Sequence, residues 1–100
     1  GRQAEAAREA ALDHFGKRIG LLFQVVDDIL DAQADTATLG KTAGKDAAQD
    51  KPTFVSLLGL VDARALAEEL LAEALASLQP FGEDAGRLAH LARFIAHRKF

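Results

Sequence analysis

Apolar positions recur along this chain at the three- and four-residue spacing of helices, in four separate blocks. The first block spans about residues 4–32, with Phe15, Ile19, Leu22, Val26 and Ile29 on one side. The second is short, about residues 53–58. The third runs from about Asp62 to Leu78, with Asp62 placed to cap it. The fourth runs from about Asp84 to Arg98; Leu88, Leu91 and Ile95 share its apolar face and Asp84 can cap it. Pro80 and Gly82 break the chain between the third and fourth. Between the first and second lies a polar stretch, Gln33 to Pro52, with two glycines, three threonines and three lysines. The pattern predicts a loop there, and a loop this long in a short chain is usually functional.

Composition supports the helical pattern. Alanine and leucine supply 36 of the 100 residues, whereas valine, isoleucine and threonine supply 11. Alanine and leucine lose little side-chain freedom in a helix. The expectation is an all-α chain forming one domain, or a piece of one, over residues 1–100. Alanine-rich helices bury little area each and need neighbours to be stable. The net charge of -3 argues against a nucleic-acid partner. Cysteine is absent, so there is no disulfide framework, and a reducing compartment such as the cytoplasm fits. The apolar run from Ile19 to Val26 is interrupted by Gln24 and is too short to span a membrane. The first residues are polar and charged, with no signal-peptide pattern.

The first helix carries the chemistry. With Gln24 at zero and about 100° per residue, Asp28 falls near 40°, Asp31 near 340° and Asp27 near 300°. These four polar residues therefore share one stripe, which Gly20 and Gly16 continue towards the N-terminus. Carboxylates within one turn repel one another unless a cation compensates. Magnesium suits oxygen ligands, takes one or two carboxylates and keeps room for phosphates. Gln24, one turn earlier, can donate its amide to a phosphate oxygen. The glycines either leave space for a substrate tail or permit close helix packing. A solvated acidic face is the alternative for the acids, and spacing alone leaves both open. Two features favour a site: the acids directly follow an apolar segment, and no lysine lies four residues on to pair with them.

The loop that follows has the opposite sign. Lys41, Lys45 and Lys51 can bind phosphate as point charges, and Gly40 and Gly44 would let backbone amides approach an anion. Solvated loop lysines are the alternative.

From Leu22 to Leu60 the chain resembles the second aspartate-rich region of trans-isoprenyl diphosphate synthases of the farnesyl and geranylgeranyl type. Phe23-Gln24, Asp27-Asp28-Ile29-Leu30-Asp31, Gly40-Lys41, Gly44, Asp46, Lys51-Pro52-Thr53 and Leu57-Leu58-Gly59 stand in that family's order and spacing. A lone D-D-x-x-D is weak evidence, whereas the ordered set is specific. The resemblance implies an isoprenoid-synthase bundle around a central cavity, with two aspartate-rich motifs facing each other. It implies magnesium as cofactor and head-to-tail condensation of isopentenyl diphosphate with an allylic diphosphate. It also implies a homodimer for the whole enzyme. By the same resemblance Asp27 is a direct metal ligand, and Asp28 and Asp31 act through metal-bound water. Gln24 and Lys41 contact the allylic diphosphate, and Lys51 lies near the site mouth. The basic tail, Arg98 and Lys99, either closes over a diphosphate or is a solvated helix end favoured by the dipole. The chain would be the C-terminal portion of such a domain. The first aspartate-rich motif and the upstream basic residues are missing from it, so the chain alone is expected to be inactive. A non-catalytic helical subunit of the same ancestry is the alternative, and a terpene cyclase fits the loop pattern less well.

Overall fold

The computed structural model describes residues 1–38 and 51–99, and among these every regular element is helical. Helix α1 is Arg2–Thr38, α2 is Phe54–Leu58, α3 is Leu60–Ala76, and α4 is Gly86–His97. A 3₁₀ segment, Gln79–Ala85, joins α3 to α4. The all-α expectation holds, with the four helices in the expected order. None of the described helices is long and apolar enough to cross a membrane.

Several expected boundaries move. Helix α1 runs to Thr38, not to about residue 32. Ala32, Gln33 and Ala34 are good helix formers, and no glycine or proline lies between Asp31 and Gly40. Asp62 is not the cap of α3; Gly59 holds that position and Asp62 lies in the first turn, where its charge suits the helix dipole. Asp84 is not a cap either. Ala85 precedes α4 in αR geometry, and no side chain caps that end. A side-chain cap needs an extended residue at that position, and a 3₁₀ turn running directly into the helix provides none. The predicted break does occur, with Pro80 in the first turn of the 3₁₀ segment and Gly82 kinked at φ 57°.

The core forms where α1 crosses α3 and α4. Phe15, Leu22, Val25, Val26, Ile29 and Leu30 bury one side of α1. They meet Ala63, Ala67, Leu70, Leu71 and Ala74 of α3, then Leu78, Ala92 and Ile95. The alanines let the helix backbones approach closely, so the branched side chains of α1 fill the space between. On α4 the buried face centres on Ala92 and Ile95. Leu91, expected on that face, is exposed because it lies about 100° round the helix from Ala92. An ion pair between Arg18 and Glu73 at 3.3 Å spans α1 and α3 at the surface.

The molecule is elongated, with extents of 59 × 21 × 18 Å and a radius of gyration of 16.8 Å. A compact chain of this length would have a radius near about 13 Å. Residues 2–10 of α1 are exposed, and so are Leu57, Val61 and Phe94.

Gly59 joins α2 to α3 at φ 87° and ψ 161°, a region open essentially to glycine alone. A Cβ there would meet nothing within 4 Å, so the cost of adding one is backbone strain and not a clash. Gly59→Ala should lower the stability of the chain by about 1–3 kcal/mol. Urea unfolding followed by circular dichroism would measure this, and no change would mean that the joint relaxes freely.

Candidate functional site

Burial of Leu22, Val25, Val26 and Ile29 against α3 and α4 sets the rotation of α1. The opposite side then presents Gln24, Asp27, Asp28 and Asp31, the stripe expected from helical spacing. Gln24 and Asp31 are exposed, and Asp27 and Asp28 are half-buried. The structure brings all four together within about two turns of one helix. Gly20 and Gly16 are exposed on the same side, and a Cβ at either would meet nothing within 4 Å. Neither serves close helix packing among the described residues.

The three acids have different surroundings. Asp28 is committed at both oxygens. The Phe54 backbone N–H donates to Oδ2 at 2.9 Å, and Gln24 Nε2 donates to Oδ1 at 3.2 Å. Asp27 faces the C-terminal end of α4, where Arg98 Nη2 lies 3.6 Å from its Oδ1. Asp31 has neither a hydrogen bond nor an ion pair among the described residues. Its carboxyl is pushed above the ordinary aspartate value, first by partial loss of solvent and then by the charges of Asp27, Asp28 and Asp35. Arg98 pulls it back in part.

Arg98 lies across the stripe. Its guanidinium stacks 4.4 Å from the centroid of the Phe23 ring, and Nη2 also donates to the Phe23 carbonyl at 3.4 Å. Its Nε is buried without a hydrogen-bond partner. The tail is therefore not a freely solvated helix end at this residue; the aromatic face and the carboxylate of α1 hold it down. No local pattern in the sequence marks this contact, because Arg98 and Phe23 are 75 residues apart. Lys99 is exposed.

Lysines were the other half of the expected site. Lys41 and Lys45 lie outside the described residues. Lys51 is exposed, two residues before Thr53. There the chain re-enters the fold at a capping box: Thr53 Oγ1 accepts from the Ser56 N–H, and Ser56 Oγ accepts from the Thr53 N–H. Gln24, Asp28, Pro52, Thr53, Phe54 and Leu57 line a shallow cleft between α1 and α2. The described end of the lysine segment is thus fastened beside the aspartate stripe.

Among the described residues, no three or more His, Asp or Glu side chains converge on one metal position. The donor chemistry still suits a hard divalent cation. All the donors are oxygens, Asp31 is unpaired among the described residues, and loss of solvent followed by repulsion from its neighbouring carboxylates raises its proton affinity; a cation would relieve the repulsion. Magnesium needs only one or two carboxylates from a wall of this kind.

Comparison with known proteins gives a consistent picture. The family model for polyprenyl synthetase matches residues 2–90. A probable farnesyl diphosphate synthase of Sinorhizobium fredii is 57% identical over 88 residues, covering 88% of this chain and 26% of that protein. A chloroplastic geranylgeranyl pyrophosphate synthase of Catharanthus roseus is 51% identical, covering 87% of this chain and 25% of that protein. The farnesyl diphosphate synthase of Escherichia coli is 47% identical, covering 87% and 30%. The chain thus spans about a quarter of the length of these curated relatives.

Proposed function

The chain belongs to the polyprenyl synthetase family, and on that premise we propose that it forms one wall of the active site of a magnesium-dependent short-chain isoprenyl diphosphate synthase. The whole enzyme would join isopentenyl diphosphate head-to-tail to an allylic diphosphate. The observation that carries this reading is the stripe of Gln24, Asp27, Asp28 and Asp31 on α1, within a chain whose relatives include farnesyl and geranylgeranyl diphosphate synthases.

In this reading Asp27 and Asp31 hold the metal. Asp27 can turn to a cation at little cost, since its pair with Arg98 is long and partly exposed. Magnesium, when bound, neutralises charge on the departing diphosphate as a Lewis acid. Gln24 keeps one amide N–H for a diphosphate oxygen while the other stays on Asp28, since a carboxamide carries two donors. Lys41 contacts the allylic diphosphate, and Lys51 adds positive charge at the mouth. The exposed glycines leave room beside α1 for an apolar chain. The whole enzyme is a cytoplasmic homodimer.

The test uses the full-length protein and the 100-residue chain side by side, with isopentenyl diphosphate, an allylic diphosphate and magnesium. Full-length protein should form a longer prenyl diphosphate and lose that activity to a chelator. The 100-residue chain should form none, because the facing carboxylates are missing. Prenyl transfer by the isolated chain would overturn the half-site reading, and its absence from full-length protein would overturn the synthase reading.

A further inference from the structure

We propose that Asp28 is a positioning residue and not a metal ligand: its carboxylate fastens α1 to the start of α2 and aims the Gln24 carboxamide along the stripe. This rests on the reading of the stripe as a metal and diphosphate wall. Helix α2 has five residues, and its leading N–H groups have no partner within the helix. Thr53 satisfies the Ser56 N–H. The Phe54 N–H is left over, and Asp28, 26 residues earlier, accepts it at 2.9 Å in a part-buried setting.

A hydrogen bond to an ionised carboxylate is about twice as strong as a neutral one. Turning Asp28 towards a cation would break this bond and leave a part-buried N–H unpaired. The second oxygen is engaged too, by Gln24 Nε2 at 3.2 Å. Gln24 is otherwise exposed, and among the described residues no other hydrogen bond fixes its orientation. One carboxylate thus sets two things. It holds Thr53 and Phe54, where the lysine segment re-enters the fold, beside α1. It also directs the residue that faces a diphosphate. Among the described residues Asp27 and Asp31 accept no such backbone bond, so the three acids divide the work: two are available to a cation and one organises the wall.

Asparagine separates the two roles. Its side-chain oxygen can still accept from the Phe54 N–H, and Gln24 can rotate to give its oxygen to the new amide. Leucine fills similar space and accepts nothing. The experiment is amide exchange and side-chain amide NMR on the 100-residue chain without metal, comparing wild type, Asp28→Asn and Asp28→Leu. In the leucine variant the Phe54 amide should exchange about tenfold faster, and the Gln24 carboxamide signals should move to free-solvent positions. In the asparagine variant the Phe54 amide should exchange at close to the wild-type rate, and the Gln24 carboxamide, its oxygen now accepting, should stay away from the free-solvent positions of the leucine variant. Unchanged Phe54 exchange in Asp28→Leu, or leucine-like behaviour in Asp28→Asn, would overturn the proposal. If the leucine variant unfolds entirely, the Leu70 and Leu71 amides lose protection as well. The asparagine variant then decides alone: protection near wild type supports the role, and its loss rejects it. No metal enters this test, so its failure would leave the metal role of Asp27 and Asp31 standing, to be judged by turnover.

Discussion

On the proposed reading, Asp27→Ala in the full-length protein is expected to lower turnover by about two to three orders of magnitude while the fold survives. The side chain contributes little to stability. Among the described residues its ion-pair partner is Arg98 at 3.6 Å, with the Asp27 side chain 45% exposed. Pairs of that kind contribute under about 1 kcal/mol, and removing Asp27 also relieves repulsion on Asp31. The expected shift in unfolding midpoint is no more than about 3 °C in either direction. On the proposed reading the catalytic loss is larger, because a metal ligand acts on charge that develops only as the diphosphate leaves. Steady-state kinetics with saturating magnesium, alongside thermal unfolding, checks both halves of the expectation. Near-normal turnover would remove Asp27 from the metal role. Collapse of the fold with lost turnover would mean that the Arg98 contact matters more than its exposure suggests.

The other large effect concerns the opposite side of the same helix. Leu22 is fully buried, at 0% exposure, where α1 meets α3 and α4. Leu22→Ala should cost about 3 kcal/mol, combining lost transfer energy with the cavity left in the core between α1 and α3. Domains of this size usually have a margin of about 5–15 kcal/mol, so a large share of it would go. Leu57→Ser is the control, because Leu57 is 74% exposed and its loss should change stability by less than about 0.5 kcal/mol. Urea unfolding of the 100-residue chain measures both. If Leu22→Ala costs no more than the control, α1 is not held against α3 in solution, and nothing would fix the rotation that turns the aspartates outward. The stripe depends on this: Asp27 and Asp28 are presented because Val25, Val26 and Ile29 are buried behind them.

Most of α1 could be read from the chain. Phe15, Ile19, Leu22, Val26 and Ile29 were expected on one face; four are buried and Ile19 packs partly buried against them, while Gln24, Asp27, Asp28 and Asp31 were expected on the other and share it. Helical periodicity is a local property, so residues three and four apart meet whatever the rest of the fold does. Helix ends were read less well. Asp62 and Asp84 have the right chemistry for caps, yet Gly59 and Ala85 occupy those positions. A cap depends on how the preceding residues turn, which the identity of one side chain does not reveal.

The sequence by itself determined the helical class, the buried face of α1, the order of the acids and the family. Each of these rests on spacing over a few residues or on an ordered motif, so no distant contact is needed to establish it. Only the tertiary structure decided what each acid touches. Asp28 meets the Phe54 N–H, and Arg98 returns to Phe23 and Asp27 across 75 residues of chain. Such contacts arise when α2 and the end of α4 dock on α1. The energy of that docking comes from the apolar core, so it carries no signature at the polar residues it brings together.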